Sequence, residues 1–192
     1  MGFRGKAGRM LQGAIFYNRK AMILALPILV LALAGCGAPP ARLNVDFAKI
    51  KDSAQAIADG MVKGDYGPLG DVTHPKIIAL MGGRETMLTE VKSQMEQLAK
   101  DGYTIVSYTL ETPTEYQGTA PDLAVIVPQK MRMKFTKGFI TQSAFLLAVS
   151  DDSGATWKFV DGAQLTPEMV RAILPPALHQ IKLPKVEAPK VE

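Results

Sequence analysis

A chain of 192 residues, 47% of them apolar, is long enough for one domain with a buried core. The formal charge of +4 is local: Arg4, Lys6, Arg9, Arg19 and Lys20 all precede residue 36, no acid does, and the other 17 of 22 basic residues face 18 acidic ones. That near-neutral remainder argues against a nucleic-acid partner, and a single cysteine excludes an internal disulfide and a cysteine-based metal site.

Arg19 and Lys20 lead into an uncharged run over residues 21–34, closed by Leu33-Ala34-Gly35-Cys36. A positive flank, an apolar stretch and small residues before a cut site form a secretory signal. The tetrapeptide resembles the lipobox of bacterial lipoproteins. The resemblance implies cleavage between Gly35 and Cys36, with a diacylated Cys36 as the mature N-terminus and membrane anchor. The competing reading is a transmembrane segment, but the run falls short of the ~20 residues a span needs and contains Pro27. The expected compartment is the cell envelope. Gly37, where an aspartate would mark inner-membrane retention, implies by the same resemblance the periplasmic face of the outer membrane in a cell with two membranes. Residues 1–9 precede a signal already complete from Met10, which is therefore the expected start.

The signal is expected over residues 1–35 and a lipidated Gly/Pro-rich tether over residues 36–44. A domain follows over residues 45–174. Asn44 or Asp46 is positioned to cap a helix whose apolar side chains (Val45, Phe47, Ile50, Ala54, Ile57, Met61) recur every three or four residues. Residues 63–68 read as a turn. His74 or Thr73, with Pro75 behind it, opens a short second helix that ends at Gly82-Gly83. A third helix over residues 84–100 carries the stripe Met87, Leu88, Val91, Met95 and Leu98.

From Tyr103 the texture is that of strands. Residues 103–111 form the first, and residues 112–122 a polar loop. Residues 123–135 form the second, with a bend or bulge at Pro128 and alternation of charge with bulk from Lys130 to Phe135. Residues 139–150 are a central strand. After the turn signal Asp151-Asp152-Ser153-Gly154, the last strand starts at Trp157. Thr166-Pro167-Glu168 opens a final short helix. Four prolines in residues 175–192 predict an extended, mobile tail.

Three helices followed by four antiparallel strands make an α+β layout, with helices on one face of a curved sheet. The long first helix, the Pro-opened second, the break Met81-Gly82-Gly83 and the terminal Trp157-Lys158-Phe159-Val160-Asp161 resemble the nuclear-transport-factor-like (SnoaL-like, cystatin-like) cone fold over about residues 45–162. The resemblance implies a pocket between sheet and helices. Tyr108, Met131, Met133, Phe135, Phe145 and Trp157 are its candidate lining, against the plain alternative that they are core. The ten methionines favour an adaptable cavity, although Met1, Met10 and Met22 belong to the signal.

No catalytic motif is legible. His74 and His179 have no metal-ligand spacing, and no cofactor is implied. Gly82-Gly83-Arg84 is either an anion site at a helix start or a tight corner. Isomerases of the resembled fold pair a carboxylate base with an oxyanion hole. Tyr66, Tyr103, Tyr108, Tyr116, Asp65 and Asp122 supply the residue types without a matching motif. The expected function is a tethered lipoprotein that binds an envelope protein or a small apolar ligand without catalysis. A ketosteroid-isomerase-like or cyclase-like enzyme is the alternative.

Overall fold

The computed structural model describes residues 43–192. The signal, Cys36 and all but the last two residues of the tether lie outside the described residues. The domain is α+β, with four helices leading into a six-stranded antiparallel sheet.

Helix α1 (Phe47–Lys63) starts at Asp46, whose carboxylate accepts the Lys49 N–H at 3.0 Å. It buries Ile50, Ala54, Ile57 and Ala58 against the sheet. The segment expected to be only a turn contains a further helix, α2 (Gly67–Val72), so four helices rather than three precede the first strand. A six-residue segment with two glycines has no helical signal of its own. Its conformation comes from Leu69 and Val72 packing on the core and from Arg84, whose Nη2 donates to the Gly67 carbonyl at 3.1 Å and to Asp71 at 2.7 Å. Helix α3 (Pro75–Leu80) has His74 as its cap, Nδ1 accepting the Lys76 N–H at 3.3 Å. Helix α4 (Arg84–Lys100) follows Gly82-Gly83, both at positive φ.

The strands are β1 (Thr104–Leu110), β2 (Gln117–Thr119), β3 (Asp122–Phe135), β4 (Gly138–Ser150), β5 (Lys158–Asp161) and β6 (Lys190–Val191). Their order is β1-β3-β4-β5, with β2 on β3 and β6 on β4. The expected bend at Pro128 is absent from the β3–β4 register, which runs unbroken through Val127↔Leu146, Pro128↔Phe145 and Gln129↔Ala144. The Pro128 carbonyl accepts from Glu111 N–H, so its hydrogen-less nitrogen faces the side where β1 has already ended. The missing donor therefore interrupts no ladder. Among the described residues the one register shift lies in β1, between Ile105 and Ser107.

Both sheet faces are covered. Leu123, Val125, Val127, Leu146 and Ala148 point to the α1 side. Their neighbours Ala124, Phe145, Leu147 and Val149 point to the opposite side. That side is closed by α5 (Pro167–Ile173), capped by Thr166, and by the segment after it. Within residues 175–192, Pro176–Leu178 form a 3₁₀ helix rather than extended chain, and the free, mobile tail is not what the structure shows. Leu178 is fully buried, Ile181, Leu183 and Val186 pack on the core, and β6 pairs with Ile140 and Thr141 of β4. Four docked apolar side chains and an edge pairing hold a segment that has no periodicity to reveal them.

Candidate functional site

The α1-facing side of the sheet does not close completely. Ile57 and Met61 of α1 and the facing side of α4 enclose a space over this side of β3 and β4. The result is a cavity of about 380 Å³ between sheet and helices, within the usual range for small-molecule sites. Residues two apart share a strand face, so Gln129, Met131 and Met133 of β3 reach it together, as do Gln142, Ala144 and Leu146 of β4. Tyr108 and Ile105 enter from β1. From above, the α4 stripe Met87, Val91, Met95 and Leu98 meets it at helical spacing.

Met61, Met81, Met87, Met95, Met131 and Met133 all line this space, six of the seven methionines that follow residue 36. Unbranched thioether chains adjust to the shape of what they touch, so this wall is deformable rather than moulded to one outline. A smaller cavity of about 260 Å³ lies beside it and shares Met61, Met95, Leu98, Ile105 and Met133 with it.

Among the described residues six polar side chains line it: Thr73, whose hydroxyl donates to the Leu69 carbonyl; Gln142, whose Nε2 donates to the Ser143 and Glu187 carbonyls; Gln94; and Tyr108, Gln129 and Asp161. The Tyr108 hydroxyl donates to Gln129 Oε1. Burial is the larger cause that pushes the Tyr108 phenol well above its ordinary value, and the Asp161 charge adds to it, so the ring stays protonated at neutral pH. Asp161, at the end of β5, lies at the wall as an exposed residue, and its Oδ1 accepts the Ala163 N–H at 3.0 Å. Among the described residues that line the cavity there is no Lys, Arg or His, and Asp161 is the one acid.

Of the expected lining, Tyr108, Met131 and Met133 come together at this wall. Phe145, Trp157 and Phe135 lie elsewhere. Phe145 has the opposite parity on β4 and packs with α5 and Leu178. Trp157 precedes β5 and packs in the core, its Nε1–H donating to the Gly154 carbonyl at 3.1 Å. Phe135, at the end of β3, stacks on Tyr103 with centroids 5.9 Å apart. Gln129 was not singled out from the sequence, although it shares its parity with Met131, and Asp161 was named there as a strand end and not as cavity lining.

The other candidates do not converge on the cavity. Arg84 is paired with Asp71, which makes Gly82-Gly83 a corner rather than an anion site. Asp65 accepts from Gly67 N–H, and Tyr116 Oη accepts from Leu43 N–H. His74 is held below its ordinary pKa, first by burial and then by Lys76, which suits a neutral Nδ1 accepting a cap bond. His179 Nε2 lies 3.1 Å from the Leu174 carbonyl. Among the described residues no group of three or more His, Cys, Asp or Glu side chains is arranged to hold a metal. No described helix is long and apolar enough to cross a membrane. No family model, curated protein or solved structure matches the chain.

Proposed function

We propose that the chain is a lipid-anchored envelope protein whose domain holds a small apolar ligand between sheet and helices without catalysis. The observation that carries this reading is the methionine-rich cavity of about 380 Å³ with few polar groups. Acid–base chemistry would need a carboxylate tuned by burial, whereas Asp161 is exposed and occupied as a cap. The helices over an antiparallel sheet are also consistent with a nuclear-transport-factor-like cone, which we adopt as the finer description of the fold.

The anchor rests on Leu33-Ala34-Gly35-Cys36. Intact mass of the mature protein is expected to give a chain that begins at Cys36 and carries acyl groups, while Cys36→Ala accumulates as unprocessed precursor. A mature chain of unmodified mass overturns the anchor. In a cell with two membranes, Gly37 supports the outer one, and fractionation solely with the inner membrane refutes that.

A second reading, an isomerase- or cyclase-like enzyme, is favoured by the neutral Tyr108 phenol and Asp161, which line the same cavity. Ligand binding separates the two. A stoichiometric apolar ligand recovered unchanged after prolonged incubation supports carriage, and its conversion, lost in Asp161→Asn, supports the enzyme.

A further inference from the structure

Of the polar side chains that line the cavity, Thr73 and Gln142 donate to backbone carbonyls and Gln94 is exposed, which leaves Tyr108, Gln129 and Asp161 as the polar groups available to a ligand. The strand register orders them. Asp161 pairs with Leu146, Leu146 with Val127, and Gln129 follows two residues along β3 beside Tyr108. Met131 and Met133 continue away from Asp161 along β3, and Met133 is shared with the adjoining cavity of about 260 Å³. The two spaces share Met61, Met95, Leu98, Ile105 and Met133, of which the three methionines are unbranched and can adjust.

The Tyr108–Gln129 pair presents a donor whichever way the amide is turned. With Tyr108 donating to Oε1, the Gln129 NH₂ remains to donate; with the amide reversed, the Tyr108 hydroxyl does. The hydroxyl oxygen or amide oxygen left over accepts. This pair can hold a hydroxyl or carbonyl. It cannot neutralise a carboxylate or phosphate, because no cation lines this cavity among the described residues, and Lys63, which lines the adjoining one, is exposed and lies 3.6 Å from the Asp59 carboxylate. Lys158 Nζ is bonded to the Asp71 carbonyl at 2.8 Å, Arg84 is paired with Asp71, and His74 caps α3. An ionised headgroup would lose its water and face the Asp161 carboxylate at the rim.

We infer that the ligand class is an uncharged, elongated amphiphile, a single aliphatic chain with a hydroxyl or carbonyl head at Tyr108 and Gln129 and its tail among the methionines, and that the site discriminates against the corresponding anion. The inference rests on the apolar-ligand reading above.

The test compares 1-decanol with decanoate, two probes of equal chain length. The full mature chain is reconstituted in phosphatidylcholine nanodiscs, retention of each radiolabelled probe is measured by equilibrium filtration, and empty nanodiscs are subtracted. Decanol should be retained at one per chain with affinity independent of pH from 6 to 9. Decanoate should bind only as its neutral acid, so its apparent affinity should fall roughly tenfold per pH unit over that range. Gln129→Leu should weaken decanol roughly tenfold. Asp161→Asn should raise the ratio of decanoate to decanol affinity at pH 8. Circular dichroism checks that both variants are folded, and Tyr108→Phe replaces Gln129→Leu if that variant is not. Equal, pH-independent binding of the two probes overturns the charge selectivity while leaving apolar carriage standing. Binding of neither probe overturns both.

Discussion

Asp152 shows how much order one side chain can impose. Its Oδ1 accepts the Thr156 N–H at 2.9 Å and the Ser150 hydroxyl at 2.7 Å, and its Oδ2 accepts the Thr156 hydroxyl at 2.7 Å. The bonds from Thr156, then that from Ser150, pull its carboxyl from 3.8 to about 2. A depressed folded-state value means that this stabilisation is complete above the unfolded value and is lost as pH falls through about 2. The melting-temperature gap between wild type and Asp152→Asn should therefore be constant above pH ~5 and close between pH ~4 and ~2; a gap that persists at pH 2 contradicts the assignment. The turn residues were legible from sequence, but the bonding was not. Trp157, held against that turn and 9% exposed, is core rather than pocket lining. Trp157→Ala should cost about 3–5 kcal/mol by urea denaturation, and a loss under ~1 kcal/mol would be at odds with its burial.

At the scale of elements, legibility followed period. Helices α1 and α4 were readable because 17 residues each repeat an apolar face, and β3 and β4 because each carries an unbroken apolar run, Leu123–Val127 and Ala144–Val149, with alternation of charge and bulk in β3 from Lys130 to Phe135. Helix α2, at six residues, and β2, at three, draw their conformation from partners and show no pattern. The site was partly legible for the same reason. Parity on β3 placed Met131 and Met133 on one wall, while parity on β4 alone could not say which face Phe145 takes. Helix α4 is the element on which the cavity depends, since of its side chains only Met87 is fully buried. Its entry is fixed by Gly83 at φ 106°, ψ 168°, a backbone region that is essentially reserved for glycine. A Cβ there meets nothing within 4 Å, so Gly83→Ala isolates backbone strain from packing. Roughly 1–3 kcal/mol of destabilisation is expected, with hydrogen exchange accelerated in α4 before the sheet. A variant with unchanged stability and unchanged exchange in α4 would show that the corner does not fix the helix.

At the scale of the molecule, one covered sheet face depends on residues that sequence reasoning would discard. Pro175, Pro176, Pro184 and Pro189 forbid a regular helix, and the apolar residues between them keep no period. An extended chain can nevertheless place single side chains on a sheet wherever spacing allows. Leu178 takes a fully buried position, with Leu183 and Val186 half-buried further along. The chain then reaches the edge of β4, where Glu192 N–H donates to the Phe139 carbonyl at 2.8 Å and Phe139 N–H returns a bond at 3.1 Å. The Glu192 carboxylate accepts from Thr141 at 2.8 Å and from Arg132 at 2.9 Å, and Arg132 lies over the Phe139 ring at 3.8 Å. Gly138 is required beside this junction, since a Cβ would strike the Glu192 carbonyl. Deleting residues 183–192 removes two half-buried apolar side chains and the edge pairing, while the exposed Arg132–Glu192 pair contributes little. A loss of roughly 2–3 kcal/mol follows, which lowers the melting temperature of a domain this size by about 4–10 °C. Deleting residues 175–192 also strips Leu178 from beside Phe145, Leu147 and Ile173 and should leave the chain unfolded or aggregated. A shorter deletion that melts within a degree or two of the full chain would mean that the strap is not held in solution. The sheet face beneath it would then depend on α5 and Leu178 alone.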